Sequence, residues 1–561
     1  MPTVAQLVIE GLRRAGVARL FGVPGGAASL ALIEAAGEQA LPFVRCHLES
    51  AAAIMAAVTG ELTGRPGAVV SSLGAGVTAS AAGLAHARLD RAPVIYVSER
   101  HPETTLAVTT HQTVDHARHL APIVKESLTL SPESAAHWVA HAARRALAEP
   151  RGPVHLDLPA DVALRPALPQ SPASFATPGT AQPESGALDE AAAMIRQARR
   201  PLVIAGLECR APDARWLRAF AEALPAPVLT TGKGKGAIPD PHPLALGAFT
   251  AGPLDEPVMR RADLIVAFGL DPVELSACAW PYAAPVLSLR RSASSDVATR
   301  APGGGAIFSP AHEVVGDLSA TLEELAPRLG RGETRADWDV AEVDRLRRTR
   351  AAALEIAVAG LAPHRLVQLA RELSPAGAIA TVDAGAHMRS TIAYWHAVEP
   401  GECLLSSGLG ATAFALPAAI AAQLAHPDRR VVCFTNGRGL LGVAAELETV
   451  VRLGLPIAIV AFEDDVGAPV EVERAKEQDV ARARREGPDL TTLARAFGLS
   501  AVAVDDEAGV ERAFVTAQVA AGPTLIAARV DASAHRRTLE IVCGAPEAAP
   551  PSFADARDAD V

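Results

Sequence analysis

Paired cysteines, basic runs, a membrane-length apolar stretch and internal repeats are all lacking in this sequence, and each absence removes a class of protein. The six cysteines (Cys46, Cys209, Cys278, Cys403, Cys433, Cys543) stand far apart with no CxxC pair. That spacing excludes a disulfide framework and a zinc site, and they read as reduced, mostly buried thiols. The formal charge of −11 is spread along the chain, with no run of Lys or Arg to neutralise a row of phosphates, so no nucleic acid is expected as partner. No stretch reaches the about 18 uncharged apolar residues of a bilayer span, so no membrane is expected either. The N-terminus, MPTVAQLVIEGLRRAG, is amphipathic with charges inside it and lacks the apolar centre of a signal peptide, which points to the cytoplasm. No repeat of roughly 20 to 50 residues stands out, so a solenoid is not expected.

What is there is a long globular chain. At 561 residues it exceeds one core, and about 150 residues per domain gives three or four domains. Hydrophobic residues make up 49% and charged residues 20%, with 44 Gly and 43 Pro, a loop-rich globular composition. Two composition shifts mark linkers: Leu164 to Gly186 is rich in Pro, Ala, Ser and Thr, and Arg328 to Asp337 sets Gly between charges. From Ala545 onward too little apolar content remains to bury, which predicts a disordered tail over 546–561.

Each third alternates short apolar or β-branched runs with longer amphipathic patterns, the sign of parallel sheets covered by helices. Strands are predicted at Ala68 to Ser71, Val94 to Val97 and Val154 to Leu158, then at Leu202 to Ala205, Val228 to Thr230 and Leu264 to Phe268. Ala378 to Val382, Val431 to Phe434 and Ile457 to Phe462 follow, with a helix at Ser50 to Thr63 among the intervening patterns. The predicted fold class is α/β: three doubly wound parallel-sheet domains over 1–163, 187–328 and 338–545, with ligands at the carboxyl ends of strands.

The first third contains Phe21-Gly-Val-Pro-Gly-Gly26, Leu48-Glu49-Ser-Ala-Ala, Thr63-Gly-Arg-Pro-Gly67, Gly74-Ala-Gly-Val-Thr78 and Gly152-Pro-Val-His-Leu-Asp-Leu-Pro159. The middle supplies Thr230-Thr-Gly-Lys-Gly-Lys-Gly-Ala-Ile-Pro239 and His242-Pro243; the last gives Val382-Asp-Ala-Gly385, Gly408-Leu-Gly410, Leu416-Pro-Ala-Ala419 and Glu446-Leu447. In this order they resemble the pyrimidine-binding, central and diphosphate-binding domains of thiamine-diphosphate enzymes such as acetolactate synthase and benzoylformate decarboxylase. The resemblance spans nearly all of residues 1 to 545.

That resemblance implies a 2-oxo acid decarboxylase or carboligase using thiamine diphosphate and Mg2+, acting on a small-molecule 2-oxo acid or related carbonyl substrate, as a homodimer or homotetramer. It sets Glu49 where the family hydrogen-bonds the aminopyrimidine ring, a task needing a carboxyl whose pKa burial has raised. The plainer reading of Glu49 is a helix N-terminal carboxylate facing the dipole. His111 and Gln112 fall beside the reacting thiazolium as catalytic candidates, against a plain reading as solvated loop residues, and Lys125 falls where acetolactate synthases keep a lysine. The cofactor-binding positions would be Pro24, Gly25, Gly26, Gly74, Gly385, Gly410, Thr412, Asn436, Gly437 and Arg438.

Here the sequence departs from the family. Anchored on Glu446-Leu447 and Leu455-Pro456, Asn436-Gly437-Arg438 stands over the family's Gly-Asp-Gly, and Glu463-Asp464 over its Asn-Asn. Gly437 thus replaces the carboxylate that should hold magnesium, leaving Asp464 and Asn436 as substitute metal ligands. Arg438 either grips a diphosphate directly or pairs with Glu463 and Asp464 and closes the pocket. Thr412 replaces a large apolar prop, and Gly206-Leu-Glu208 puts a carboxylate where flavin-binding members keep Gly, which disfavours FAD. The alternative function is a relative that lost the cofactor and serves as a binding or regulatory subunit, or runs other chemistry in the same cleft.

Overall fold

The computed structural model describes residues 1–168, 174–176, 179, 181–275, 280, 282–293, 308–330, 334–463 and 488–544. Asp464, Cys278 and the tail from 546 lie outside the described residues. Three six-stranded parallel sheets follow one another along the chain.

The first holds β1 (Leu20–Gly22), β2 (Phe43–Arg45), β3 (Gly67–Ser71), β4 (Val94–Arg100), β5 (Ser127–Thr129) and β6 (Pro153–Pro159), in the order β2-β1-β3-β4-β6-β5. The second holds β7 (Pro201–Ala205), β8 (Val228–Thr230), β9 (Ala245–Ala248), β10 (Leu264–Phe268), β11 (Val286–Arg290) and β12 (His312–Val315), ordered β12-β11-β10-β7-β8-β9. The third holds β13 (Ile379–Val382), β14 (Cys403–Leu405), β15 (Val431–Asn436), β16 (Ile457–Glu463), β17 (Ser500–Val504) and β18 (Thr524–Arg529), ordered β14-β13-β15-β16-β18-β17. The third sheet therefore repeats the winding of the first, while the second follows the order of dinucleotide-binding domains.

Central strands such as β3, β10 and β15 are continuous apolar runs because helices cover both sheet faces, and that makes them legible as strands. The expected strands at 228–230 and 264–268 have the observed bounds, and the others differ at their ends by one to three residues, most in β4, which runs on to Arg100.

The helix Glu49–Thr63 carries a run of small residues, Ala51 to Ala53 and Ala56 to Ala57, that lets it lie closely against the equally alanine-rich helix Ala415–Ala425. Through this pair the first and third domains share one hydrophobic core. A buried polar junction ties in the second domain. Lys233 reaches Glu61 at 2.7 Å and Asp90 at 3.3 Å, while Asp90 accepts the N–H groups of Ser407 and Gly408. Burial works against the Lys233 charge, yet Glu61 and Asp90 hold its pKa above the ordinary value. One cation thus joins groups from all three domains.

Candidate active site

In a parallel sheet, ligands gather where strand order reverses, because the loops on either side part and leave a crevice at the carboxyl edge. That point lies between β1 and β3 in the first sheet and between β13 and β15 in the third. The glycines singled out from sequence fall at these two points. Pro24, Gly25 and Gly26 follow β1, Gly74 follows β3, Gly385 follows β13, and Asn436 ends β15 with Gly437 and Arg438 opening the next helix.

In the first crevice Gly26 caps the helix Ala27–Glu38 without a side-chain hydrogen bond. A Cβ on Gly26 would stand 2.4 Å from Glu99 Oε1, so the buried Glu99 carboxylate needs glycine there; it also receives the Ser29 N–H at 3.3 Å. Gly74 adopts φ +54, and a Cβ on it would stand 2.4 Å from the Gln112 carbonyl oxygen. The fold thereby brings Gly74 and Gln112 together. Gln112 itself has φ 53, and the His111 carbonyl accepts a hydrogen bond from His101 Nε2 at 2.9 Å. Both His111 and Gln112 have exposed side chains.

Behind this loop lies a network not anticipated from sequence. The Gly74 N–H donates to His116 Nε2 at 3.2 Å, which leaves His116 Nδ1 to donate to Asp157 at 3.0 Å. Asp157 also accepts from Ser98 Oγ at 2.8 Å, and the two His155 nitrogens engage Ser98 and Ser127. His116, His155 and Asp157 are close enough to hold a metal ion, but each of these groups already has a hydrogen-bond partner, so the cluster reads as a brace for the Gly74 turn. Lys125 is a backbone clasp: its ammonium donates to the carbonyls of Arg145, Ala148 and Pro150, and burial pulls its pKa down to about 7.

Glu49 opens its helix, and its half-buried carboxyl has a pKa raised by desolvation. The entry to that helix is fixed by the third domain. Fully buried Glu446 accepts the N–H groups of His47 at 2.9 Å and Leu48 at 3.0 Å, and Thr449 Oγ1 donates to its other oxygen. In the sequence Glu446 figures only as an alignment anchor. Its link to residues 47 and 48 spans about 400 positions, and no local pattern signals it.

At the third-domain crevice, Gly385 caps the helix Ala386–Tyr394 with no side-chain cap, leaving the positive helix end for an anion. The Asn436 amide nitrogen lies 3.6 Å from where a Gly385 Cβ would be, so the β13 and β15 tips adjoin. Asn436 Oδ1 caps the short helix Gly437–Gly442 by accepting the Gly439 N–H at 2.8 Å. Among the described residues, a Cβ on Gly437 would meet only Leu490 Cδ1, at 4.0 Å. Arg438 is exposed. In register, Asn436 pairs with Phe462, which sets the 436–438 turn beside the 463 strand tip. Gly410 and Thr412 are exposed on the neighbouring loop, whose Ala411 carbonyl accepts the Ala384 N–H. Beneath the turn, buried Asp383 accepts from Thr435 Oγ1 and the Ala415 N–H, and desolvation lifts its pKa to about 6.

The second sheet reverses between β7 and β10, and there Glu274 fills the crevice. Its carboxyl oxygens accept from the Leu207 N–H at 2.7 Å and Thr231 Oγ1 at 2.5 Å, and burial pushes its pKa to about 8. Glu208 is likewise spent, on the Arg291 N–H. A carboxyl raised in this way favours the folded state below its unfolded value, and that contribution is lost as pH rises through about 8. Glu274→Gln should therefore leave Tm about unchanged near pH 4 and raise it near pH 9 relative to the parent, with the gain growing between the two, read by thermal unfolding across pH. An equal shift at both values would refute the protonated assignment.

Three family models match the chain in order. The N-terminal TPP binding domain of thiamine pyrophosphate enzymes covers residues 2–119, the central domain 188–325, and the C-terminal TPP binding domain 383–528. The catabolic acetolactate synthase of Raoultella terrigena is 28% identical over 541 residues, covering 94% of this chain and 95% of the relative. Bacillus subtilis acetolactate synthase is 26% identical, covering 94% of this chain and 93% of the relative. A probable 2-ketoarginine decarboxylase of Pseudomonas aeruginosa is 29% identical, covering 94% of each.

Proposed function

Because the chain belongs to the thiamine pyrophosphate enzyme family, we propose that it is a thiamine-diphosphate-dependent 2-oxo acid decarboxylase or carboligase. The observation that carries this reading is Glu49: a half-buried carboxyl, its pKa raised by desolvation, at a helix entry clamped by Glu446. Such a group holds a proton that a ring nitrogen can share. When bound, thiamine diphosphate supplies the carbanion-stabilising chemistry.

The residues fit the organic cofactor. Glu49 faces the task of proton exchange, the braced Gly74 turn presents backbone close to Gln112, and the uncapped helix end at Gly385 suits a diphosphate oxygen. His111 and Gln112 are assigned to the substrate by their exposed place on the loop beside Gly74. The 436–438 turn does not fit a magnesium clamp. Gly437 brings no side-chain oxygen, and the Asn436 carboxamide oxygen accepts the Gly439 N–H of its helix. We assign diphosphate binding to the Gly385 helix end and Arg438, with little dependence on Mg2+. With Glu274 in the central crevice, FAD has no assigned role.

Exposed apolar residues stand on the segments that follow the strand tips, Leu30 and Leu441 on helices and Val108 and Leu409 on loops. We infer that a second copy covers them and that each site combines Glu49 of one chain with the 436–438 turn of the other. Mixed and refolded Glu49→Gln and Gly385→Trp chains, each inactive alone, should then recover about a quarter of parental turnover, since half the dimers carry one intact site of two. No recovery would place both halves in one chain. The activity itself is tested by carbon dioxide release from a series of 2-oxo acids with thiamine diphosphate present. Absence of both turnover and calorimetric heat at millimolar cofactor would overturn the reading.

A further inference from the structure

A cavity of about 580 Å³ lies between the second and third domains. Its walls include Leu246, Phe249, Ile392 and Leu405, with Arg347, Arg348 and Arg389 among its polar members. Pockets of this size with apolar walls and a few charged groups take small organic ligands.

The charges around it do not balance. Arg350 is spent on Asp255 at 2.8 Å and on the carbonyls of Leu246, Ala248 and Leu254. Asp240 is matched by Lys235 at 2.8 Å. Burial pushes the Glu274 pKa up to about 8, so it adds little negative charge at neutral pH. Arg347 and Arg348, from the helix Val340–Leu354, share the single carboxylate of Asp344, each at 2.7 Å. Arg389 has no hydrogen-bond or ion-pair partner among the described residues, although it is only partly exposed and lines the cavity. Two guanidinium charges are therefore left over beside an apolar space. A guanidinium withdrawn from water without a partner is costly, and a bidentate anion removes that cost.

We propose that this interdomain cavity binds a small organic anion, an apolar body ending in a carboxylate or phosphate, with Arg389 as its principal contact and the Arg347–Arg348 pair attracting it at the rim. The cavity is distinct from the Glu49 and Gly437 crevices, although it reaches Ser407 and Gly410 on the loop that carries Thr412. Binding there does not depend on the proposed reaction.

The test uses the full chain without thiamine diphosphate and the fluorescent probe anilinonaphthalene sulfonate, an aromatic body with one anionic group. One saturable site per chain is expected, weakened about tenfold by Arg389→Ala and less by Arg389→Lys, because only the fork is lost in the latter. Ala351→Trp, at an exposed position on the cavity lining, should block the probe without touching any charge. Displacement by phenylpyruvate identifies a carboxylate ligand, and displacement by adenosine diphosphate a phosphate ligand. Unchanged affinity in both Arg389→Ala and Ala351→Trp, or displacement by neither compound, overturns the proposal.

Discussion

Replacing Glu49 by Gln is expected to lower kcat/KM by about 10² to 10⁴-fold while leaving the fold intact, the span that loss of one general acid or base produces. Glutamine keeps the volume, and the contacts that set this helix entry go to His47 and Leu48, so they survive the change. The proton at the carboxyl does not. Burial has raised the Glu49 pKa, so its contribution to stability is present below the ordinary carboxylate value and falls away as pH climbs through the raised one. The Gln variant should accordingly show a flatter Tm profile over the mildly acid range and a turnover profile that loses its acidic limb. Asp at the same position shortens the reach and should recover part of the rate. If Glu49→Gln chains turn over normally, Glu49 is a helix-end carboxylate whose dipole interaction is worth only about 0.3–1 kcal/mol, and the acid–base assignment fails.

Why Glu49 could be singled out from the sequence while Glu446 and His116 could not follows from the range of the interactions. Glu49 stands in a local string, Leu48-Glu49-Ser-Ala-Ala, whose alanine run records a closely packed helix. The strands were equally local: β10 and β15 are apolar because both of their faces are covered. The partners that fix the site are distant in sequence. Glu446 reaches back to residues 47 and 48, Asp157 holds His116, and Asp383 spans the β13 and β15 tips through Thr435. Each is an acidic residue in or beside an apolar run, a pattern that reads as a solvated strand or helix end until the partner is brought alongside. Gly437 was legible for the opposite reason, since a missing oxygen is visible in the sequence itself. How the turn compensates was not, because that depends on groups from several strand tips.

The double change Gly437→Asp, Arg438→Gly should turn a magnesium-indifferent site into a magnesium-dependent one. In the parent, thiamine diphosphate affinity is expected to change little when a chelator is added, because the 436–438 turn supplies no carboxylate and its Asn436 amide oxygen caps the helix. Among the described residues, a side chain at Gly437 meets no backbone, its nearest neighbour being a flexible leucine methyl at 4.0 Å. Removing the exposed Arg438 restores a glycine that lets phosphate approach the chain. The variant should then bind thiamine diphosphate about tenfold more tightly with millimolar Mg2+ than with chelator, and its Tm should rise with both present, since a ligand bound only to the folded state stabilises it by mass action. Two results would count against this account. A parent whose affinity collapses with chelator would mean that ligands other than the 436–438 turn already hold the metal. A variant gaining nothing from magnesium would mean that the distance between the β15 turn and the Gly385 helix end, rather than the lost carboxylate, sets what the crevice can hold.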